Sequence, residues 1–152
     1  MDKNLNNIFV ISSPSGGGKS SLIEALLSDE RAEKIKLSVS FTTRQIRSSE
    51  KNQKDYIFIK EDEFMKKIDD GDFIEYAKVF GNFYGTDKLL TEKILKSKDI
   101  LLELDWQGAF SIKKTFKNVV SVFLIPPSYK DLEKRLSTSC LLYTSDAADD
   151  GY

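Results

Sequence analysis

Near the amino terminus an apolar run, Ile8-Phe-Val-Ile11, feeds the segment Ser12-Ser-Pro-Ser-Gly-Gly-Gly-Lys-Ser-Ser21, after which Leu22, Ile23, Leu26 and Leu27 recur at helical spacing. Strand, glycine-rich loop and helix in that order describe a turn that wraps phosphate. Gly16, Gly17 and Gly18 can take backbone angles closed to other residues, so successive N–H groups can converge on one anion while Lys19 adds a point charge and Ser20 offers a ligand to Mg²⁺. The strict pattern G-x-x-x-x-G-K-[ST] is not met, because Ser13 stands at the first glycine, although serine is small enough to keep the turn tight. Taken alone, the G-G-G-K-S string is also compatible with a flexible surface loop; the flanking strand and helix argue against that.

Whatever anion this loop meets has to be drawn by a local site. Lys and Arg total 23 against 24 Asp and Glu, a net charge of -1, so no global field favours nucleic acid or an anionic membrane. Small-molecule substrates are the expected partners. The chain has no histidine, which excludes Ser-His and Cys-His nucleophile pairs and every His-ligated metal. One cysteine, Cys140, excludes an internal disulfide framework and a cysteine-built metal site, and fits a reduced cytoplasm. The polar start Met1-Asp-Lys-Asn-Leu-Asn-Asn7 lacks a basic segment before a long apolar one, and no run approaches the ~18 apolar residues of a membrane span, so a soluble, unprocessed chain is expected. At 152 residues a single domain is the default.

Three apolar runs, Ile8 to Ile11, Ile100 to Leu104 and Val119 to Ile125, read as strands buried on both faces, with helical patterns between them. They predict a parallel α/β core. Helices are expected over Lys19 to Leu27, Asp87 to Leu95, Gln107 to Thr115 and Ser128 to Leu136, the last capped by Ser128. Between residues 36 and 86 the pattern changes to short alternating stretches, Lys36 to Phe41, Asp55 to Ile59, Phe73 to Phe80 and Asn82 to Tyr84, with a short helix over Glu61 to Ile68. These predict a smaller, half-exposed antiparallel sheet inserted into the core. Trp106, Phe110, Phe116 and Phe123 are read as packing, since aromatics dominate core burial.

The inserted region holds polar residues that packing does not explain. Arg44 and Arg47 stand three apart just after a strand end, and Tyr56, Glu75, Tyr84 and Thr86 follow on neighbouring short strands. Arginine's planar fork binds phosphate bidentately and a tyrosine hydroxyl can donate to a remaining oxygen, so the set suits a phosphomonoester. Ordinary Arg–Glu pairs on a solvated surface are the alternative.

From about residue 6 to 136 the chain resembles the bacterial-type guanylate kinases. The resemblance rests on S-P-S-G-G-G-K-S-S-L, S-V-S-F-T-T-R-Q-I-R, D-Y-I-F, F-I-E-Y-A, G-N-F-Y-G-T, L-E-L-D-W-Q-G and F-L-I-P-P-S, which follow in the family's order and nearly its spacing. It implies a nucleoside monophosphate kinase fold and ATP-dependent conversion of GMP to GDP with Mg²⁺. Ser13, Pro14, Ser15, Gly16, Gly17, Gly18, Lys19, Ser20 and Ser21 would then bind ATP. Ser40, Arg44, Arg47, Tyr56 and Tyr84 would hold the GMP phosphate, with Glu75 and Thr86 facing guanine and Asp105 near the substrate. Lys19, Arg44 and Arg47 would carry catalysis, and Ser20 and Asp105 would reach the metal. A non-catalytic guanylate-kinase-like module that binds phosphopeptides is the alternative from another class; the retained Lys19 loop argues against it.

Some positions depart from the family's pattern. Gln53 stands where a turn glycine is usual, Glu103 where an aspartate is frequent, and one residue is missing near Lys98. The larger departure follows Leu136. The family continues with an arginine-rich lid and further C-terminal elements, whereas this chain reads Cys140-Leu-Leu-Tyr-Thr-Ser-Asp-Ala-Ala-Asp-Asp-Gly-Tyr152, which resembles read-through of a sequencing-library adapter. The expectation is an incomplete guanylate kinase domain over 1–139 (core 1–35 and 87–137, inserted GMP-binding region 36–86) with a non-native tail at 140–152, and impaired turnover.

Overall fold

The computed structural model describes residues 6–14 and 17–139. Ser15, Gly16, Cys140 and the whole expected tail at 140–152 lie outside the described residues. In chain order the elements are β1 (Ile8–Ser12), α1 (Lys19–Leu27), β2 (Ile35–Leu37), β3 (Phe41–Thr42), β4 (Ile57–Phe58), α2 (Glu61–Asp69), β5 (Phe73–Val79), β6 (Asn82–Asp87), α3 (Lys88–Leu95), β7 (Asp99–Glu103), α4 (Trp106–Thr115), β8 (Val119–Phe123) and α5 (Tyr129–Ser139).

The core sheet runs β2-β7-β1-β8 and every pairing in it is parallel, with Ile8 opposite both Ile100 and Val119 and Ile35 opposite Asp99. Side chains alternate across the pleat, so each central strand feeds two layers. Ile8, Val10, Ile100 and Leu102 pack with Leu95, Ala109 and Ile112 on the face covered by α3 and α4. Ile11 and Leu101 pack with Ile23 of α1 on the other face. This is the parallel α/β core expected from the apolar runs, and the helices fall within a few residues of their predicted bounds. Asp87 and Asp105 sit just outside α3 and α4 as caps, accepting from the Leu90 and Gly108 N–H groups. Ser128 accepts from the Asp131 N–H, the cap foreseen for α5.

Three expectations about strands change. The run Lys36 to Phe41 is divided: Ile35–Leu37 joins the core beside β7, while Phe41–Thr42 belongs to the second sheet. Ile35 and Leu37 pack against the α1-side cluster, and that burial draws β2 into the core. Val119–Phe123 is an exposed edge rather than a strand buried on both faces, because among the described residues β1 is its strand partner and α4 the helix packed on it. Trp106, Phe110 and Phe123 are likewise exposed rather than core, whereas Phe116 packs against the α3/α4-side cluster.

The second sheet runs β4-β3-β6-β5. It is mixed rather than wholly antiparallel, since β3 and β4 are parallel and the long connection 43–56 carries the chain back between them. Its core is aromatic: the fully buried Phe64 of α2 lies 4.5 Å from Phe73 and 5.3 Å from Phe83, ring centre to ring centre. Gly85 is required there, as a Cβ would lie 2.8 Å from the Phe73 ring. Lys67 of α2 spans the seam to the core, donating to Asp87 (2.9 Å) and Asp72 (3.1 Å) with its ammonium 4.8 Å from the Phe41 ring centre. Burial opposes its charge, but the two carboxylates outweigh that and raise its pKa.

Candidate active site

β1 delivers the chain into the glycine-rich loop, where the two described glycines are needed for different reasons. Gly18 caps α1 with φ +87°, a left-handed angle that favours glycine. At Gly17 the requirement is crowding: its N–H donates to the Pro14 carbonyl at 2.9 Å, and a Cβ would lie 2.8 Å from the Ser13 Cβ and 2.9 Å from that carbonyl oxygen. The small Ser13 beneath it keeps the turn tight, as its sequence position suggested. No side chain caps the start of α1, and Ser20 and Ser21 lie exposed in its first turn, leaving the N–H groups there to an incoming anion. Lys19 lies largely buried beside the loop, its Nζ 3.6 Å from Oε1 of Glu103 at the end of β7.

One cationic residue near this loop was not singled out from the sequence. Nη1 of Arg135, on α5, stands 3.6 Å from where a Gly18 Cβ would be, so its guanidinium overhangs the loop. The helical register running on from Ser128 was the signal available for it.

A second cleft opens between the two sheets. Ser40, Tyr56, Glu75 and Tyr84 line it from the inserted sheet, and Glu103 and Asp105 from the end of β7; Asp55, which the sequence reading passed over, lines it as well. Since Glu103 also pairs with Lys19, the cleft and the glycine-rich loop are contiguous.

Behind the Tyr56 wall of the cleft lies Arg44, buried, with its guanidinium carbon 5.3 Å from the Tyr56 ring centre and 5.7 Å from that of Phe58. Its Nη1 and Nη2 donate to Glu50 Oε2 (3.0 Å) and Oε1 (2.7 Å), and Nη1 also donates to the Gln45 carbonyl (3.1 Å). The paired Glu50 carboxylate outweighs burial and holds Arg44 well above its ordinary pKa, and the guanidinium in turn holds Glu50 below the usual carboxylate range. So the Arg–Glu pairing considered as an alternative does form. It does not exhaust the arginine: Arg44 Nε and the Tyr84 hydroxyl are both buried without a hydrogen-bond partner. The Tyr84 hydroxyl lies near enough to the guanidinium to help support its charge, so the two buried donors stand side by side. Arg47 follows in the same loop, its backbone N–H donating to Glu50 Oε2 at 2.9 Å.

Glu75 sits deep in the cleft floor. The fully buried Thr86 donates its hydroxyl to Glu75 Oε1 at 2.6 Å, and Gly108 of α4 lies so close that a Cβ there would be 3.3 Å from Oε2. Burial pushes the Glu75 carboxyl up to about 7; the Thr86 hydrogen bond opposes the shift and the neighbouring Asp105 charge adds to it. With its hydrogen on Glu75, Thr86 reaches a base oxygen only by turning its hydroxyl. Asp105 Oδ1 accepts from the Gly108 N–H at 2.7 Å.

The described residues contain no cluster of three His, Cys, Asp or Glu able to hold a metal, and no helix long and apolar enough to cross a membrane.

Among known proteins, the family model described as guanylate kinase matches residues 5–141. The guanylate kinase of Hydrogenovibrio crunogenus is 46% identical over 131 residues, covering 86% of this chain and 63% of that protein. That of Paraburkholderia xenovorans is 49% identical over 131 residues, covering 86% of this chain and 57% of its own length. The crystal structure of guanylate kinase from Anaplasma phagocytophilum superimposes with a TM-score of 0.72 at 40% identity, covering 96% of this chain and 74% of that one. The chain thus spans about three fifths of the curated relatives it matches. Because the family model runs from residue 5 to 141 and so takes in both clefts and the sheet that joins them, the chain belongs to the guanylate kinase family.

Proposed function

We propose that this protein transfers the γ-phosphoryl group of ATP to GMP, giving ADP and GDP. The observation that carries the reading is a pair of buried donors without hydrogen bonds, Tyr84 Oη in the cleft that also holds the Glu75 carboxyl and Arg44 Nε behind its Tyr56 wall. A nucleoside monophosphate fits this arrangement, with its phosphate on the arginine and tyrosine and its base on the carboxylate. Guanine presents N1–H and N2–H₂ side by side for Glu75 to accept, whereas adenine would turn an unprotonated N1 on the same charge. By analogy with bidentate base contacts elsewhere, the pair is worth ~1 to 3 kcal/mol of discrimination. Thr86 fixes the Glu75 oxygen that it touches.

A phosphomonoester has its second pKa near ~6, so the attacking oxygen is already largely ionised at neutral pH and no general base is needed in a chain without histidine. What remains is positioning and charge neutralisation. Lys19, the loop N–H groups and Arg135 would meet the donor phosphates, while Arg44 and Arg47 aim the acceptor. Mg²⁺ usually binds through substrate phosphates with only one or two protein oxygens, which suits a site offering the Ser20 hydroxyl and the Asp105 oxygen not used by Gly108. When bound it would neutralise charge on the transferring group. A cytoplasmic setting is part of the same reading, supported by the lone cysteine.

In a coupled assay with ATP and Mg²⁺, GMP should be consumed in preference to AMP. Equal turnover of AMP would sink the base assignment. Calorimetric preference for a phosphoserine peptide over GMP would favour the non-catalytic module instead.

A further inference from the structure

We propose that Glu50 positions the acceptor phosphate by selecting which edge of the Arg44 guanidinium faces it. The inference rests on the reading of GMP as the acceptor. A guanidinium has five N–H donors in one plane. Nη1 spends both of its hydrogens, on the Gln45 carbonyl (3.1 Å) and Glu50 Oε2 (3.0 Å), and Nη2 spends one on Glu50 Oε1 (2.7 Å). What is left is Nε–H, buried and without a hydrogen bond, and the second Nη2 hydrogen, with the Tyr84 hydroxyl near enough to support the guanidinium charge. Those two lie parallel along one side of the fork, the spacing that binds two oxygens of a phosphate. Glu50 therefore blocks the end of the fork and presents its side. The same carboxylate accepts the Arg47 N–H at 2.9 Å, and the Glu50 N–H returns to the Arg47 carbonyl at 3.0 Å, so both arginines are registered to one anchor.

Charge alone predicts the opposite of what we propose. Glu50 carries a negative charge beside an anion site, so neutralising it should strengthen phosphate binding if electrostatics decided the matter. If orientation decides, neutralising it weakens binding. The test compares GMP with guanosine, which lacks the phosphate, by titration calorimetry on the chain and on Glu50→Gln and Glu50→Asp. Glu50→Gln should bind GMP roughly 10- to 100-fold more weakly, as expected for losing hydrogen bonds to charged groups, while guanosine affinity stays within about twofold. Glu50→Asp keeps the charge but is one methylene too short to reach both the fork and the Arg47 N–H, so it should fall between the two. Unchanged or tighter GMP binding by Glu50→Gln overturns the inference, as do equal losses for GMP and guanosine, which would mark a general structural role. Should Glu50→Gln not fold, Glu50→Asp decides: full GMP affinity there overturns the inference. A wild-type chain that binds GMP no more tightly than guanosine overturns the acceptor reading itself, and the role of Glu50 with it.

Discussion

Thr86 and Glu75 face each other across β5 and β6 with the threonine hydroxyl 2.6 Å from the Glu75 Oε1, and burial holds that carboxyl at about 7. A protonated Glu75 has one acceptor oxygen fewer and no charge, so it cannot take both guanine N–H groups well. Binding of the base must then remove the proton, at a cost of about one tenfold step in affinity for each pH unit below the pKa. Guanosine isolates this effect because it has no phosphate to titrate. Its affinity should climb from about pH 5 to about pH 7 and level off above, while Glu75→Gln should bind it weakly and with no such slope. A flat calorimetric profile for the wild type across that range would refute the assignment of Glu75 to the base.

Gly17→Ala tests the donor side. The new methyl would meet the Ser13 Cβ at 2.8 Å and the Pro14 carbonyl oxygen at 2.9 Å, and the backbone atom has no rotamer by which to yield. The turn must open, and the N–H groups lose their common focus. ATP should bind at least about 10-fold more weakly while GMP binding stays within about twofold, both read by calorimetry, since a preorganised set of amides is worth a few kcal/mol to an anion. Equal losses for both nucleotides would mean that the two clefts are not separately built.

The parts of this architecture legible in the sequence are those whose cause is local. The β1–loop–α1 unit is set by an apolar run, glycines and a helical repeat that are neighbours in the chain, and the Ser128 cap of α5 lies three residues from the N–H it accepts. Illegible features depend on what packs from afar. Residues 36–41 look like one strand, yet Leu37, with Ile35 before it, finds the core cluster while Phe41 finds Phe73, a division that no glycine or proline marks. The composition of Val119–Phe123 suits burial, but burial needs a partner on each face. In the acceptor cleft the residue types pointed to phosphate chemistry, but Glu50 gave no signal of its own, because its importance lies in which hydrogens of Arg44 it occupies. The Thr86–Glu75 contact likewise follows from the register of β5 on β6, which shifts between Phe73 and Glu75 and could not be counted from either strand alone.

Gln53, at the position where the family usually has glycine, is held at φ 65°. Its N–H donates to the Tyr56 carbonyl at 2.8 Å, so the loop that presents Tyr56 to the cleft enforces the angle. A left-handed non-glycine residue costs about 1 to 2 kcal/mol, partly offset on substitution by the greater unfolded-state freedom of glycine. Gln53→Gly should therefore stabilise the chain by about 0.5 to 1 kcal/mol, a rise in Tm of roughly 1 to 4 °C for a domain of this size. A melting temperature that falls would mean the glutamine side chain contributes more than its backbone strain costs.

Lys67→Met addresses the seam between the inserted sheet and the core. The ammonium is bound by Asp87 at 2.9 Å and Asp72 at 3.1 Å, and Asp87 cannot withdraw, because its other oxygen caps α3 at the Leu90 N–H. Methionine preserves the apolar stem over Phe41 but leaves a carboxylate only 7% exposed without its cation. Removing one partner of a buried pair costs about 3 to 5 kcal/mol; with Lys67 itself still a quarter exposed, about 2 to 3 kcal/mol is expected in chemical denaturation. Adding Asp87→Asn keeps a capping oxygen while removing the stranded charge, so the double variant should recover more than half of that loss. Additive losses in the double variant would show that Lys67 and Asp87 contribute to stability independently of each other.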